Sequence, residues 1–358
     1  MKEKVLLGMS GGVDSAASAV VLLQMGYDVT GMTMQLHRAE KNDRRCGTPD
    51  DREDAAKVCR QLGIDHISLD FTDRFEETVI GDFIAEYQRG RTPNPCVCCN
   101  RFLKFGAALE WAEEHGFAYI ATGHYAVIRP DENGEKRLFR SASKKDQSYV
   151  LWGLKKEQLK KVLFPLGDRE KDDTRRLASD AGLHLSQKPD SEDICFVPDH
   201  DYAAFIRRRT GQTEIPGDFV DEQGHVLGRH RGIWHYTIGQ RKGLGISLGQ
   251  PMYVKRIDPA HNCVVLGPEG CQYSGGCLLE GMNYHETPPQ EPFTVWVKLR
   301  YSAPLCQAVC QVLSGDKARL LFSMPQRSVT PGQSAVLYDA AGKVLGGGLI
   351  LCPDDGQT

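Results

Sequence analysis

Ser10-Gly11-Gly12-Val13-Asp14-Ser15 is the stretch that decides the fold of this chain. It follows Lys4-Val5-Leu6-Leu7-Gly8, an apolar run of strand length, and precedes residues 16–24, which read as a helix with Gly26 just past its end. A loop of small residues therefore joins a buried strand to a helix N-terminus. Glycine lets backbone N–H groups come close to an anion, and the helix end adds partial positive charge, so such a loop cradles phosphate. No Gly-Lys-Ser/Thr ending follows, which excludes the Walker loop, and the glycine spacing is not that of the dinucleotide fingerprint.

Outward from the loop, strand and helix patterns alternate. Residues 29–34 read as a second strand. A helix over 49–62 has Thr48 as its expected N-cap, Pro49 in its first turn and Gly63 past its end. Residues 64–71 form a third strand, 75–87 a helix closed by Gly90, 102–115 a helix closed by Gly116, and 119–122 a fourth strand. This alternation predicts an α/β fold with a parallel sheet covered on both faces, and such sheets bind ligands at the carboxyl ends of their strands. The loop, Met34 and Gly123-His124 all fall at such ends. After Pro198 helical periodicity fades, and glycines crowd between Gly211 and Gly281. From 278 onward five short strand-like runs separated by turns such as Ser314-Gly315-Asp316 predict a small β-barrel. The expected domains are 1–200, 201–277 (small and β-rich) and 278–358 (the barrel).

Bulk composition agrees with a globular protein of two or three domains. The chain has 358 residues, 41% hydrophobic and 25% charged, with a net charge of −3. That charge announces no nucleic acid, so an RNA surface has to be a local basic patch. No apolar run approaches the roughly 20 residues that span a bilayer, and the first residues lack a charged region followed by an apolar core. A cytoplasmic protein without membrane contact is expected. Its 12 cysteines are then thiols rather than a disulfide framework. Cys59, Cys263, Cys306 and Cys310 fall in helix or strand patterns and read as packing residues.

Four other cysteines keep different company. Thr92-Pro93-Asn94-Pro95-Cys96-Val97-Cys98-Cys99-Asn100 reads as a rigid turn feeding a helix, with Cys99 and Asn100 at the helix start. A thiol there has its thiolate stabilised, which makes Cys99 a candidate nucleophile. Zinc is a weak alternative, because Cys96 and Cys99 make one C-x-x-C and no second pair follows. Cys195 stands in Ser191-Glu192-Asp193-Ile194-Cys195-Phe196-Val197, divided between core residue and catalytic thiol. Its acidic neighbours would raise its pKa, favouring a sulfur carrier charged from elsewhere over a free attacking thiolate.

The loop resembles the pyrophosphate loop of ATP pyrophosphatases, which cleave ATP to AMP and pyrophosphate. An ordered set of motifs extends the resemblance over nearly the whole chain: Gly8 to Ser15, Thr92-Pro93-Asn94-Pro95 through Cys99-Asn100, Ala121 to Tyr125, Lys145-Asp146-Gln147-Ser148-Tyr149, Asp193 to Phe196, Gly239-Gln240-Arg241-Lys242-Gly243-Leu244-Gly245, and Pro331 to Val336. Together they resemble the bacterial tRNA-specific 2-thiouridylase family.

The resemblance implies that the wobble uridine of tRNAs for Lys, Glu and Gln exchanges its 2-oxygen for sulfur. ATP adenylates that oxygen, a persulfide on Cys195 carries the sulfur, and Cys99 assists through a transient Cys99–Cys195 disulfide. It assigns ATP to Gly8, Met9, Ser10, Gly11, Gly12, Val13, Asp14, Ser15, Met34 and Gly123, with magnesium as the counter-ion and Asp14 as its one ligand candidate. Asn94, Pro95 and Cys96 match positions at the target base. His124, Lys145, Asp146, Gln147, Arg300, Tyr301 and Gln333 match positions at the tRNA. A cysteine desulfurase or a sulfur-carrier protein is the implied persulfide donor. Some relatives carry Asp at Cys96, and a cysteine does not inherit an acid–base role. An iron–sulfur cluster on Cys96, Cys99 and Cys195 is a less favoured alternative route. A pyrophosphate-loop ligase is a further alternative, though no part of the chain has the pattern of an ammonia-supplying glutaminase.

Overall fold

The computed structural model describes residues 2–37, 49–187 and 194–354. Thr48, expected to cap a helix, and the acidic run Ser191-Glu192-Asp193 lie outside the described residues. The chain forms two compact units: Met1–Ile80, Cys96–Pro198 and Gly342–Val344 make the first, and Gly81–Pro95, Asp199–Ala341 and Leu345–Thr358 the second.

The first unit is built on a five-stranded sheet. Its order is Asp65–Asp70 (β3), Asp28–Gln35 (β2), Lys4–Gly8 (β1), Tyr119–Ala121 (β4) and Val162–Leu163, with every pairing parallel. Val5, Leu6 and Leu7 are all fully buried, so β1 is covered on both faces, as the lack of polar alternation predicts. Val5 and Leu7 pack with Ala16, Val20, Val58, Leu166 and Leu185 in one core. From β1 the chain passes to β2 on one side, and β4 lies on the other. The strand order therefore reverses beside β1, and the crevice at such a switch point opens at the carboxyl ends. The helix Val13–Gln24 (α1) starts there.

Two helices begin earlier than the sequence suggested. The expected 102–115 helix begins as an α-turn at Pro95–Cys98, continues as a π-helical stretch over Cys99–Ala107 and ends as Ala108–Glu114. Proline lacks the N–H that a first turn leaves unused anyway, so Pro95 opens this helix instead of holding a turn before it. Within this wider coil a Cβ at Gly106 would fall 2.9 Å from the Arg101 carbonyl oxygen five residues back, a space that suits glycine. The expected 75–87 helix begins at Thr72, whose N–H donates to Asp70 Oδ1 at 2.9 Å. The two-residue strand Val162–Leu163 and the hairpin Ala126–Pro130/Lys136–Arg140 carried no distinct pattern.

The second unit contains a four-stranded sheet, ordered Met252–Asp258, Cys263–Pro268, Gly217–Val220 and Val226–His230. It also contains a closed barrel of Tyr273–Tyr284, Ala318–Arg327, Cys306–Val312, Phe293–Lys298, Ser334–Tyr338 and Val344–Asp354. Inward-facing Leu279, Val295, Val297, Ala308, Leu320, Leu337 and Ile350 fill the barrel. Along Phe293–Lys298, Val295 and Val297 are buried between exposed Thr294 and Trp296, so alternate side chains enter the barrel.

Candidate nucleotide and thiol site

The Ser10–Ser15 loop leaves β1 at Gly8 and is tied down by its own hydroxyls. Ser15 Oγ donates to the Gly12 carbonyl at 3.0 Å and accepts from the Ser10 N–H at 3.3 Å. Met9 is fixed to β2: its N–H donates to Met32 O at 2.7 Å, and its carbonyl accepts from Thr33 Oγ1 at 2.9 Å. Gly11 has φ +67°, and a Cβ there would fall 2.7 Å from the Asp51 carbonyl oxygen. Position 11 therefore needs glycine twice over, for conformation and for space. Ser10 is exposed, Gly8, Gly12 and Asp14 are half-buried, and Met9, Gly11, Val13 and Ser15 are buried.

Asp14, in the first turn of α1, is the electrostatic centre. Lys171 Nζ donates to both of its carboxylate oxygens at 2.8 Å. The Tyr125 hydroxyl donates to Asp14 Oδ1 at 2.8 Å and lies 3.0 Å from Thr174 Oγ1. Gly123, at the end of β4, presses on the same residue, since a Cβ there would sit 2.9 Å from the Asp14 carbonyl carbon. Sequence reading missed Lys171, which opens the helix Lys171–Asp180 far along the chain. Its one local signal is the Glu170-Lys171-Asp172-Asp173 run, which reads as an ordinary solvated helix start. Met34 is half-buried at the carboxyl end of β2, on the edge expected of it.

Hydrogen bonds link this centre to the first thiol segment. Tyr125 N–H donates to Gln147 Oε1 at 2.9 Å, Val150 N–H donates to the Gln147 carbonyl at 3.1 Å, and Asn100 Nδ2 donates to the Val150 carbonyl at 2.9 Å. Asn100 follows Cys99 directly. Cys99 is half-buried and Cys96 exposed. Because the helix opens at Pro95, Cys96 and not Cys99 occupies its first turn, which corrects the expectation that Cys99 stands at the helix start. Cys195 is half-buried in a tight turn closed by Val197 N–H to Ile194 O at 2.9 Å. Among the described residues no three His, Cys, Asp or Glu side chains are gathered to hold a metal ion, so Cys96, Cys99 and Cys195 do not form a ready cluster socket.

Thiols elsewhere behave as packing groups. Burial pushes Cys59, Cys306 and Cys310 up to about 11 and Cys277 well above the usual thiol range, which keeps them protonated. Burial raises Cys263 as well.

The residues expected at the tRNA divide into two groups. Lys145 and Tyr301 are exposed, and Lys298 Nζ lies 5.4 Å from the Tyr301 ring centre. Arg300 is half-buried, with Nη2 donating to the Arg327 carbonyl at 3.3 Å. By contrast the His124 and Asp146 side chains are buried. His124 Nδ1 is 2.7 Å from Thr122 Oγ1, and burial drives its pKa well below the ordinary 6.5, with Lys104 adding to the effect. Asp146 accepts from the Ser141 and Ser148 N–H groups and from Arg140 Nε, so it holds the turn that presents Lys145 and Gln147. Gln333 Nε2 donates to the Thr92 carbonyl at 2.8 Å and lies 3.3 Å from that of Pro93, steadying the segment that leads into Asn94 and Pro95.

The chain is 47% identical to a tRNA-specific 2-thiouridylase MnmA of Acetivibrio thermocellus, over 98% of this chain and 99% of that protein. The MnmA of Magnetococcus marinus is 46% identical (98% and 99% covered), and that of Clostridioides difficile 42% identical (98% of each). The chain belongs to the tRNA-specific 2-thiouridylase family. Three family models also match this 2-thiouridylase in order: a tRNA methyl transferase HUP domain over residues 3–199, a tRNA methyl transferase PRC-barrel domain over 203–268 and an aminomethyltransferase beta-barrel domain over 274–350. Among the described residues of the 2-thiouridylase, no helix is long and apolar enough to cross a membrane.

Proposed function

We propose that this enzyme uses ATP to replace the 2-oxygen of the wobble uridine in tRNA with sulfur, in the cytoplasm and on tRNAs for Lys, Glu and Gln. The observation that carries the reading is the bonded path from Asp14 through Tyr125, Gln147 and Val150 to Asn100, which ties a phosphate-binding loop to a thiol-bearing helix. The loop N–H groups and the start of α1 receive the triphosphate. Lys171 supplies the cation that an Asp14 carboxylate beside phosphate otherwise lacks. Magnesium fits as a counter-ion carried in with ATP. Among the described residues, Asp14 Oδ1 accepts from Lys171 and Tyr125 but Oδ2 only from Lys171, which leaves one Oδ2 lone pair for a metal. Bound there, the ion would neutralise phosphate charge.

The uridine 2-oxygen attacks the α-phosphorus and pyrophosphate leaves, turning a poor leaving group into AMP. The Cys99 thiolate attacks Cys195 Sγ of the Cys195 persulfide, the sulfur–sulfur bond breaks, and hydrosulfide departs. Hydrosulfide adds at C2 and AMP leaves. The Cys99–Cys195 disulfide is then reduced by an external thiol. A cysteine desulfurase or a sulfur-carrier protein loads Cys195. Asn94, Pro95 and Cys96 lie at the base. Lys145, Gln147, Arg300 and Tyr301 meet the RNA, with Arg300 on phosphate and Tyr301 stacking on a base.

The test supplies purified protein with tRNA, ATP and a persulfide donor and reads tRNA nucleosides by mass spectrometry. A 2-thiouridine product with stoichiometric AMP is expected. Cys195→Ser and Cys99→Ser should each abolish product while tRNA-dependent ATP–pyrophosphate exchange persists. Wild-type turnover in either variant refutes the relay. Full activity in Cys96→Ser favours the two-thiol route over a three-thiol cluster.

A further inference from the structure

Cys195 is a poor residue to leave on a loose tether, because its sulfur has to meet both a donor and Cys99. The residues after it are not loose. Phe196 and Val197 are buried, and the turn from Ile194 to Val197 closes in one hydrogen bond. The Phe196 ring meets the Phe75 ring edge-on, with centroids 5.7 Å apart at 81°. Phe75 is itself fully enclosed and meets the His37 ring in the same manner at 5.1 Å and 88°. His37 lies just past the carboxyl end of β2, and Phe75 lies on the helical turn Thr72–Phe75 just past β3. That same turn packs against the stretch Cys99–Ala107. One short helical turn thus borders both thiol segments, gripping one through an aromatic ring and backing the other.

We propose that Phe75 and Phe196 are positioning residues for sulfur transfer: Phe196, socketed on Phe75, holds Cys195 at the carboxyl edge of the sheet within reach of Cys99. The inference rests on the two-thiol relay proposed above. An oriented pair of thiols has a high effective concentration toward each other, and a slack tether lowers it. Loss of the socket should weaken the meeting of the two sulfurs without touching nucleotide chemistry.

The experiment equilibrates the full-length protein with glutathione buffers. Two protein thiols and oxidised glutathione give the Cys99–Cys195 disulfide and two reduced glutathiones, read by acid quench, alkylation and mass. Phe196→Leu should lower that equilibrium constant roughly tenfold, and tRNA-dependent ATP–pyrophosphate exchange should stay within about twofold of wild type. Phe75→Leu should act in the same direction, and the double variant should be no worse than the more affected single, since both act through one contact. Phe196→Met also lacks the ring edge but fills the site with a flexible, unbranched chain, so it should behave like Phe196→Leu. An equilibrium constant in Phe196→Leu and Phe196→Met close to wild type overturns the socket alone. A wild-type protein that forms no Cys99–Cys195 disulfide overturns the relay and this inference with it.

Discussion

At Asp14 three hydrogen bonds converge on one carboxylate, two from Lys171 and one from Tyr125. An unshielded carboxylate would repel the phosphates that the neighbouring loop attracts. Lys171→Met should therefore raise KM for ATP about tenfold or more, a cost of about 1.4 kcal/mol, with tRNA binding unchanged. ATP cleavage to AMP measured against ATP concentration checks this, and a normal KM would remove Lys171 from the phosphate site. Lys171 could not be found by reading, because it stands 157 residues from its partner. The Ser10–Ser15 loop was legible because its glycines and serines act on their own immediate backbone. His124 illustrates the converse: its motif was visible, but its burial depends on Phe105 and Phe164, whose rings lie 6.1 and 5.8 Å away and come from distant segments.

That burial has a pH consequence. The pKa of folded His124 is depressed below the ordinary 6.5, so below pH 6.5 the unfolded chain takes up a proton that the folded chain refuses. Its stabilising neutrality is complete above 6.5 and is lost as the pH falls from there toward the folded pKa, at up to about 1.4 kcal/mol per pH unit. His66 and His230 are also depressed by burial and add to the same slope. His124→Asn should flatten the acid limb of a urea-stability profile. An unchanged slope would show that His124 does not carry it.

Among elements, the close approach of β4 to α1 matters most. A methyl at Gly123 would meet the Asp14 backbone at 2.9 Å, so Gly123→Ala has to push the start of α1 away from its loop. The expected outcome is weaker ATP use together with a stability loss of about 1–3 kcal/mol. ATP titration and denaturant melts on one preparation separate the two effects, and unaltered ATP use would mean that the contact yields freely. Element positions were readable where glycine and proline punctuate them, as at Gly26, Gly63, Gly90 and Gly116. Reading failed at Pro95, whose ring suits a turn and a first helical residue equally well, and at Val162–Leu163, which is too short to show a period.

On the scale of the whole molecule, the chain divides into two compact units, and the proposed ATP site belongs to the first. Calorimetry should show two transitions. ATP at about a hundred times its dissociation constant should raise only the one belonging to the nucleotide unit, by about 2.7 kcal/mol at its midpoint. A single transition shifted as a block would mean that the units melt as one. The second unit has a property of its own. Tyr273–Tyr284 pairs with Val344–Asp354, so the ring of strands meets itself. A sheet with an open margin offers bare N–H and C=O groups to any passing chain, and fibres grow from such margins. This barrel has no such margin, so the turn bearing Arg300 and Tyr301 can sit in the open without a template for self-stacking alongside it.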